Sequence, residues 1–90
     1  MSAVVDNRQR SRFELEENGL VAFANYQRRD TTLVVSHVES PPPLRGKGTA
    51  ARLMAGIVEL SRAEGMKITP LCSYAALWFR RHPAEADLIS

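Results

Sequence analysis

The chain has one cysteine, Cys72, so no intrachain disulfide can staple it, and a lone thiol suits a reducing compartment. Glycine and proline number five each, too few for a fibrous or low-complexity chain. No apolar run approaches the roughly 20 residues that a helix needs to cross a bilayer. The start, Met1–Asp6, lacks a basic stretch followed by an apolar one. These absences predict a cytoplasmic protein without a membrane partner. Neither sign of charge dominates: 12 basic against 10 acidic residues leave a formal +2, short of the field that a dedicated nucleic-acid binder carries. Aromatic residues make up only 7% and do not interleave with the basic ones, so nucleic acid is not an expected partner.

What remains is a 90-residue chain, 44% apolar and 24% charged, with the composition of one small globular domain. So small a core invites self-association without specifying an interface, and the expectation is a monomer or a weak homodimer. Residues 1–11 are polar and without periodicity, and read as a flexible lead-in to a domain spanning 12–90.

Alternation begins at Phe13 and Leu15, between Glu14 and Glu16. Asn18-Gly19 then offers a turn tolerant of positive φ, and Leu20 to Arg28 continues in β-compatible residues, which together predict a hairpin. Thr31 to Glu39 is rich in β-branched side chains and predicts a third antiparallel strand. Pro41-Pro42-Pro43 stops it and opens an extended loop. The same prolines with Leu44-Arg45 also fit a polyproline ligand, although strand termination already accounts for them. After Gly48 the period changes to that of a helix, with Ala50, Leu53, Met54, Ile57 and Val58 on one stripe and Gly65 as a stop, predicting a helix over about 49–64. Lys67 to Leu71 can return as a strand parallel to the third. A short helix, about Tyr74 to Arg81, ends ahead of Pro83. The order β-β-β-α-β-α gives an α+β fold in which an antiparallel meander changes to parallel pairing, the kind of place where ligands bind.

Gly46 and Gly48 free the backbone just where the helix begins. Successive N–H groups can face one anion there, with Arg45 and Lys47 adding charge. Alone, that pattern is equally compatible with a tight turn.

Arg45-Gly46-Lys47-Gly48-Thr49-Ala50 resembles the Arg/Gln-x-x-Gly-x-Gly/Ala signature with which GCN5-related N-acetyltransferases hold the pyrophosphate of acetyl-CoA. Pro41 to Ala50, Pro70-Leu71-Cys72-Ser73-Tyr74, Arg80-Arg81-His82-Pro83 and Asp87-Leu88 together resemble the small single-domain branch of that superfamily, the YjdJ type, over roughly residues 12–89. The resemblance implies a minimal fold of that superfamily, with acetyl-CoA or coenzyme A as co-substrate and no metal. It implies transfer of an acetyl group to a primary amine, with a protein lysine or N-terminus among the candidate acceptors. A non-catalytic acyl-CoA-binding or protein-interaction module is the alternative.

The same resemblance places backbone N–H groups of Val38 to Ser40 on the thioester carbonyl. His37 and Glu39 share a face of the third strand by its period of two, together with Leu33 and Val35. Either can accept a proton from an incoming ammonium, and histidine is the residue type whose ordinary pKa lies nearest neutrality; a structural histidine and a solvated glutamate are the plain readings. Cys72 precedes the last helix, where it can line the acetyl end, carry the acetyl group transiently, or simply pack. Many longer relatives place a tyrosine acid where Phe79 falls. Tyr74 is the nearest substitute, and Trp78 reads as packing. Arg80 and Arg81 suit the end of a helix dipole and are also candidates for the adenine-side phosphate of CoA.

Overall fold

A computed structural model of the protein describes residues 3–90, and Met1 and Ser2, part of the expected lead-in, lie outside the described residues. The strands are β1 (Val5–Asn7), β2 (Arg12–Glu17), β3 (Leu20–Arg29), β4 (Thr32–Glu39) and β5 (Lys67–Pro70), and the helices are α1 (Thr49–Ala63) and α2 (Ser73–Arg80). They form one five-stranded sheet in the order β1-β2-β3-β4-β5. The first four strands are an antiparallel meander, and β4 and β5 run parallel across the α1 crossover. The expected antiparallel-then-parallel order is present. No helix is long and apolar enough to cross a membrane among the described residues.

Local chemistry explains most of these elements. Asn18 and Gly19 both take positive φ, 53° and 75°, which a two-residue hairpin turn requires. Alternation in β2 and β3 puts Phe13, Leu15, Ala22, Ala24 and Tyr26 on one buried face. The α1 stripe Leu53, Met54, Ile57 and Val58 packs on that face, beside Ala75, Trp78 and Phe79 of α2, in a single core cluster. Both helices therefore cover one side of the sheet, and its other side faces solvent.

Four features depart from the sequence reading. Residues 5–7, expected to belong to a lead-in, form β1: Val5 pairs with Glu14 and Asn7 with Arg12, while the Tyr26 hydroxyl donates to Asp6 at 2.6 Å. Pairing across the sheet, not local alternation, makes this strand. Pro42–Leu44 is a turn of 3₁₀ helix with Pro near its start, where the missing N–H is no loss, and buried Leu44 anchors it. A second such turn, Pro83–Leu88, is followed by Ile89 in a parallel bridge with Ile68 at the edge of β5.

The fourth departure bears on the candidate site. The β3–β4 register runs Tyr26↔Val35 and then Asn25↔His37, so Ser36 is an extra residue, a β-bulge. Beyond it the sidedness of β4 is reversed. Val38, not His37, takes the core side with Leu33 and Val35, while His37 and Glu39 turn to the open side of the sheet. The expectation that His37 and Glu39 share a face holds; the expectation that they share it with Leu33 and Val35 does not.

Candidate functional site

Parallel pairing of β4 with β5 ends at Val35↔Pro70, yet β4 continues to Glu39. The two strands separate there. The N–H groups of Leu71 and Cys72 both donate to the Val35 carbonyl, at 2.9 and 3.2 Å, and close the narrow end of the gap. Tyr26 N–H donates toward β2, to Ser11 O, and in a strand Ala24, two residues away, points the same way. Val38, opposite Ala24, accordingly directs its N–H away from β3 and into the gap.

Past β4, the loop turns through Gly46 (φ 79°) and Gly48 (φ 81°), one residue apart. A Cβ at Gly46 would meet nothing, so only its left-handed backbone calls for glycine; a Cβ at Gly48 would also lie 3.0 Å from Arg52 Nη1. Gly48 is the N-cap of α1. It offers no side chain to the first N–H groups of the helix, and the first turn holds no acidic residue. That end of α1 is consequently an open, positively polarised set of donors.

A cavity of about 270 Å³ sits on this loop, lined by Ser40, Leu44, Arg45, Gly46, Gly48, Thr49, Ala50, Ala51 and Tyr74. It brings together most of the residues expected to hold the cofactor. Ser40, which lines it, has a buried Oγ without a hydrogen-bond partner among the described residues. Arg45 Nε donates to the Ser40 carbonyl at 3.1 Å, folding the loop back on the end of β4. Lys47 is exposed and does not line the cavity. A groove of about 440 Å³ starts at the same Gly48 and runs between α1 and α2, past Ala51 and Ala55, to Trp78 and the stacked His82 ring.

The loop is braced by two residues that the sequence did not single out. Glu17, at the end of β2, accepts from Thr49 Oγ1 at 2.6 Å and from Arg52 Nε and Nη2 at 2.7 and 2.8 Å. Arg52 also donates to the Lys47 carbonyl at 3.0 Å. The Arg52 guanidinium, and then the Thr49 hydroxyl, hold the Glu17 carboxyl down at about 2. Arg52 stands one helical turn from Gly48, which is a usable signal; nothing local marks Glu17.

The remaining candidates divide between the two sides of the sheet. Cys72 is the half-buried N-cap of α2, packed against the core at the mouth of the gap. Tyr74 follows in the first turn, and burial pushes its phenol pKa up against a smaller opposing effect of Arg81, so it keeps its proton at neutral pH. His37 Nε2 and Glu39 Oε1 are 3.0 Å apart on the open side, both about half exposed. Arg80 and Arg81 are exposed at the far end of α2, roughly 9 Å along the axis from Tyr74 at 1.5 Å per residue, and do not line the cavity on the loop. No cluster of three or more His, Cys, Asp or Glu residues able to hold a metal ion occurs among the described residues.

Residues 12–88 match the family model described as GCN5-related N-acetyl-transferase. No curated protein matches the chain.

Proposed function

Because the chain belongs to the GCN5-related N-acetyltransferase family, we propose that it is an acetyl-CoA-dependent N-acetyltransferase of the small YjdJ type, acting in the cytoplasm on a primary amine of a protein, a lysine or an N-terminus. The observation that carries this reading is the Arg45–Ala50 loop. Two left-handed glycines, an uncapped helix start and a Ser40 hydroxyl unpartnered among the described residues surround one cavity beside a gap between parallel strands.

Acetyl-CoA supplies the activated acyl group. The acyl carbon–sulfur bond breaks as the carbon–nitrogen bond forms, the amine gives up a proton, and the sulfur gains one. Donors at Gly46 to Ala50, with the charges of Arg45 and Lys47, would hold the pyrophosphate, and Arg80 and Arg81 are the candidates for the adenine-side phosphate. The Val38 N–H, pointing into the gap, would polarise the thioester carbonyl, with Ser40 beside it. The His37–Glu39 pair is the candidate proton acceptor on the open side of the sheet, and Tyr74, protonated at neutral pH, the candidate donor to the sulfur. Cys72 would line the acetyl end. A non-catalytic acyl-CoA-binding module is the second reading, favoured by Phe79, a buried ring without a hydroxyl where many longer relatives carry the acid.

Calorimetric titration of acetyl-CoA and free CoA into wild type and Gly48→Glu tests the reading. The substitution puts a carboxylate into the cradle and strains a left-handed site by about 1–2 kcal/mol, so thermal melts must first establish that it folds. Lys47→Glu, at an exposed position, is the variant without that strain. Wild-type binding that both variants lose or weaken supports the loop; no binding by wild type ends the acetyltransferase reading. Release of CoA in the presence of an amine separates the enzyme from the binding module.

A further inference from the structure

Across β1 to β4, the register assembles rows of side chains on the side of the sheet that no helix covers. One row is Val5–Glu14–Phe23–Glu39, and beside it lies Glu16–Val21. Val21 and half-buried Phe23 are neighbours along β3 on this side, Val21 36% exposed, and Val5, 60% exposed, lies beyond Glu14 on β1. Three carboxylates, Glu14, Glu16 and Glu39, therefore edge an apolar strip at the end of β4 from which the gap opens. Arg12 stands in the neighbouring row, Asn7–Arg12–Asn25–His37, and reaches across: it donates to Glu14 at 2.6 Å, and its guanidinium lies 4.6 Å above the centre of the Phe23 ring. That contact shows in the molecule itself that the strip accepts a cation on an aromatic face beside an acid. No ion pair or hydrogen bond engages the Glu16 side chain among the described residues, and Glu39 meets only His37.

We propose that this open face, centred on Phe23 and Val21 and edged by Glu14, Glu16 and Glu39, is the docking surface for a basic protein segment that presents its acceptor lysine to the gap between β4 and β5. The inference rests on the acetyltransferase reading and adds the acceptor class to it. Lysine and arginine stems can lie on the apolar strip while their charged ends reach the carboxylates. Glu14 and Glu39 stand two strands apart, about 10 Å at the backbone, with Phe23 between them, a spread that suits a segment with several charges. Neither α1 nor α2 covers the face, which favours an extended peptide over a small amine that needs enclosure.

The test is fluorescence anisotropy with a short labelled peptide, one lysine flanked by arginines, against the same peptide with glutamines in place of the arginines. Calorimetry with acetyl-CoA is run on the same protein samples. The basic peptide should bind roughly tenfold more tightly or better, with the preference shrinking as salt is added. Phe23→Ala and Glu16→Lys, both at sites outside the core, should weaken peptide binding severalfold and leave acetyl-CoA affinity unchanged. Equal binding of the two peptides, or binding indifferent to both substitutions, overturns the proposal. Self-association of wild type that Phe23→Ala abolishes assigns the face to a second copy and overturns it too. If the basic peptide binds as expected but acetyl-CoA does not, the enzymatic reading falls and the docking surface stands.

Discussion

Glu17 has no role in the expected chemistry, yet it ties three parts of the candidate site together: the end of β2, the first residue of α1 and the guanidinium over Gly48. Its folded pKa, about 2, lies below the ordinary 4.5. A depressed carboxyl contributes stability above its unfolded pKa and loses it as pH falls through the folded one. Melting temperatures should therefore separate wild type from Glu17→Gln at pH 7 and converge between about pH 4.5 and 2, as measured by thermal melts over a pH series. Glu14 and Asp87, also held down by arginines, keep their own share of acid sensitivity in both proteins. A gap between the two proteins that persists undiminished at pH 2 would mean that the carboxylate charge is not what braces the loop.

At the scale of elements, α1 carries the fold's largest apolar stripe and also presents the loop. Ile57 is fully buried in the middle of that stripe. Ile57→Ala should lower unfolding free energy by about 2–5 kcal/mol in denaturant titrations, a large fraction of the stability of so small a domain. That stripe was legible in the sequence because Leu53, Met54, Ile57 and Val58 follow the helical period without interruption, and Gly48 and Gly65 mark its ends. The β2–β3 hairpin was equally legible from Asn18-Gly19. β1 was not, because its three residues carry no alternation of their own and gain their pairing from Arg12–Glu14 and their anchor from Tyr26. The bulge at Ser36 was hidden for a different reason. A bulge inserts one residue into a pattern of period two, and Ser36 has neither the glycine nor the positive φ that would announce it. The candidate site divides in the same way: the Arg45–Ala50 loop is local and readable, whereas the side occupied by His37 and Glu39 depends on a register that only the folded sheet sets.

At the scale of the whole molecule, two local charge clusters stand on opposite sides of the sheet. Arg45 and Lys47 stand at the loop, while Glu14, Glu16 and Glu39, with Arg12 paired to Glu14, look out from the uncovered side. A formal net charge of +2 says nothing of these clusters. An anionic cofactor and a cationic acceptor would each be drawn to its own cluster. The strands β4 and β5 part company after Val35 and Pro70, and this divergence opens the sheet between the two sides. Its consequence is kinetic. Two substrates approaching through opposite mouths do not compete for one entrance, so neither has to depart before the other arrives. Initial rates measured over a grid of both concentrations should give double-reciprocal lines that intersect, the mark of a ternary complex. Parallel lines would instead mean that the acetyl group waits on the protein, with Cys72 the candidate carrier, for an acceptor that comes after free CoA has gone.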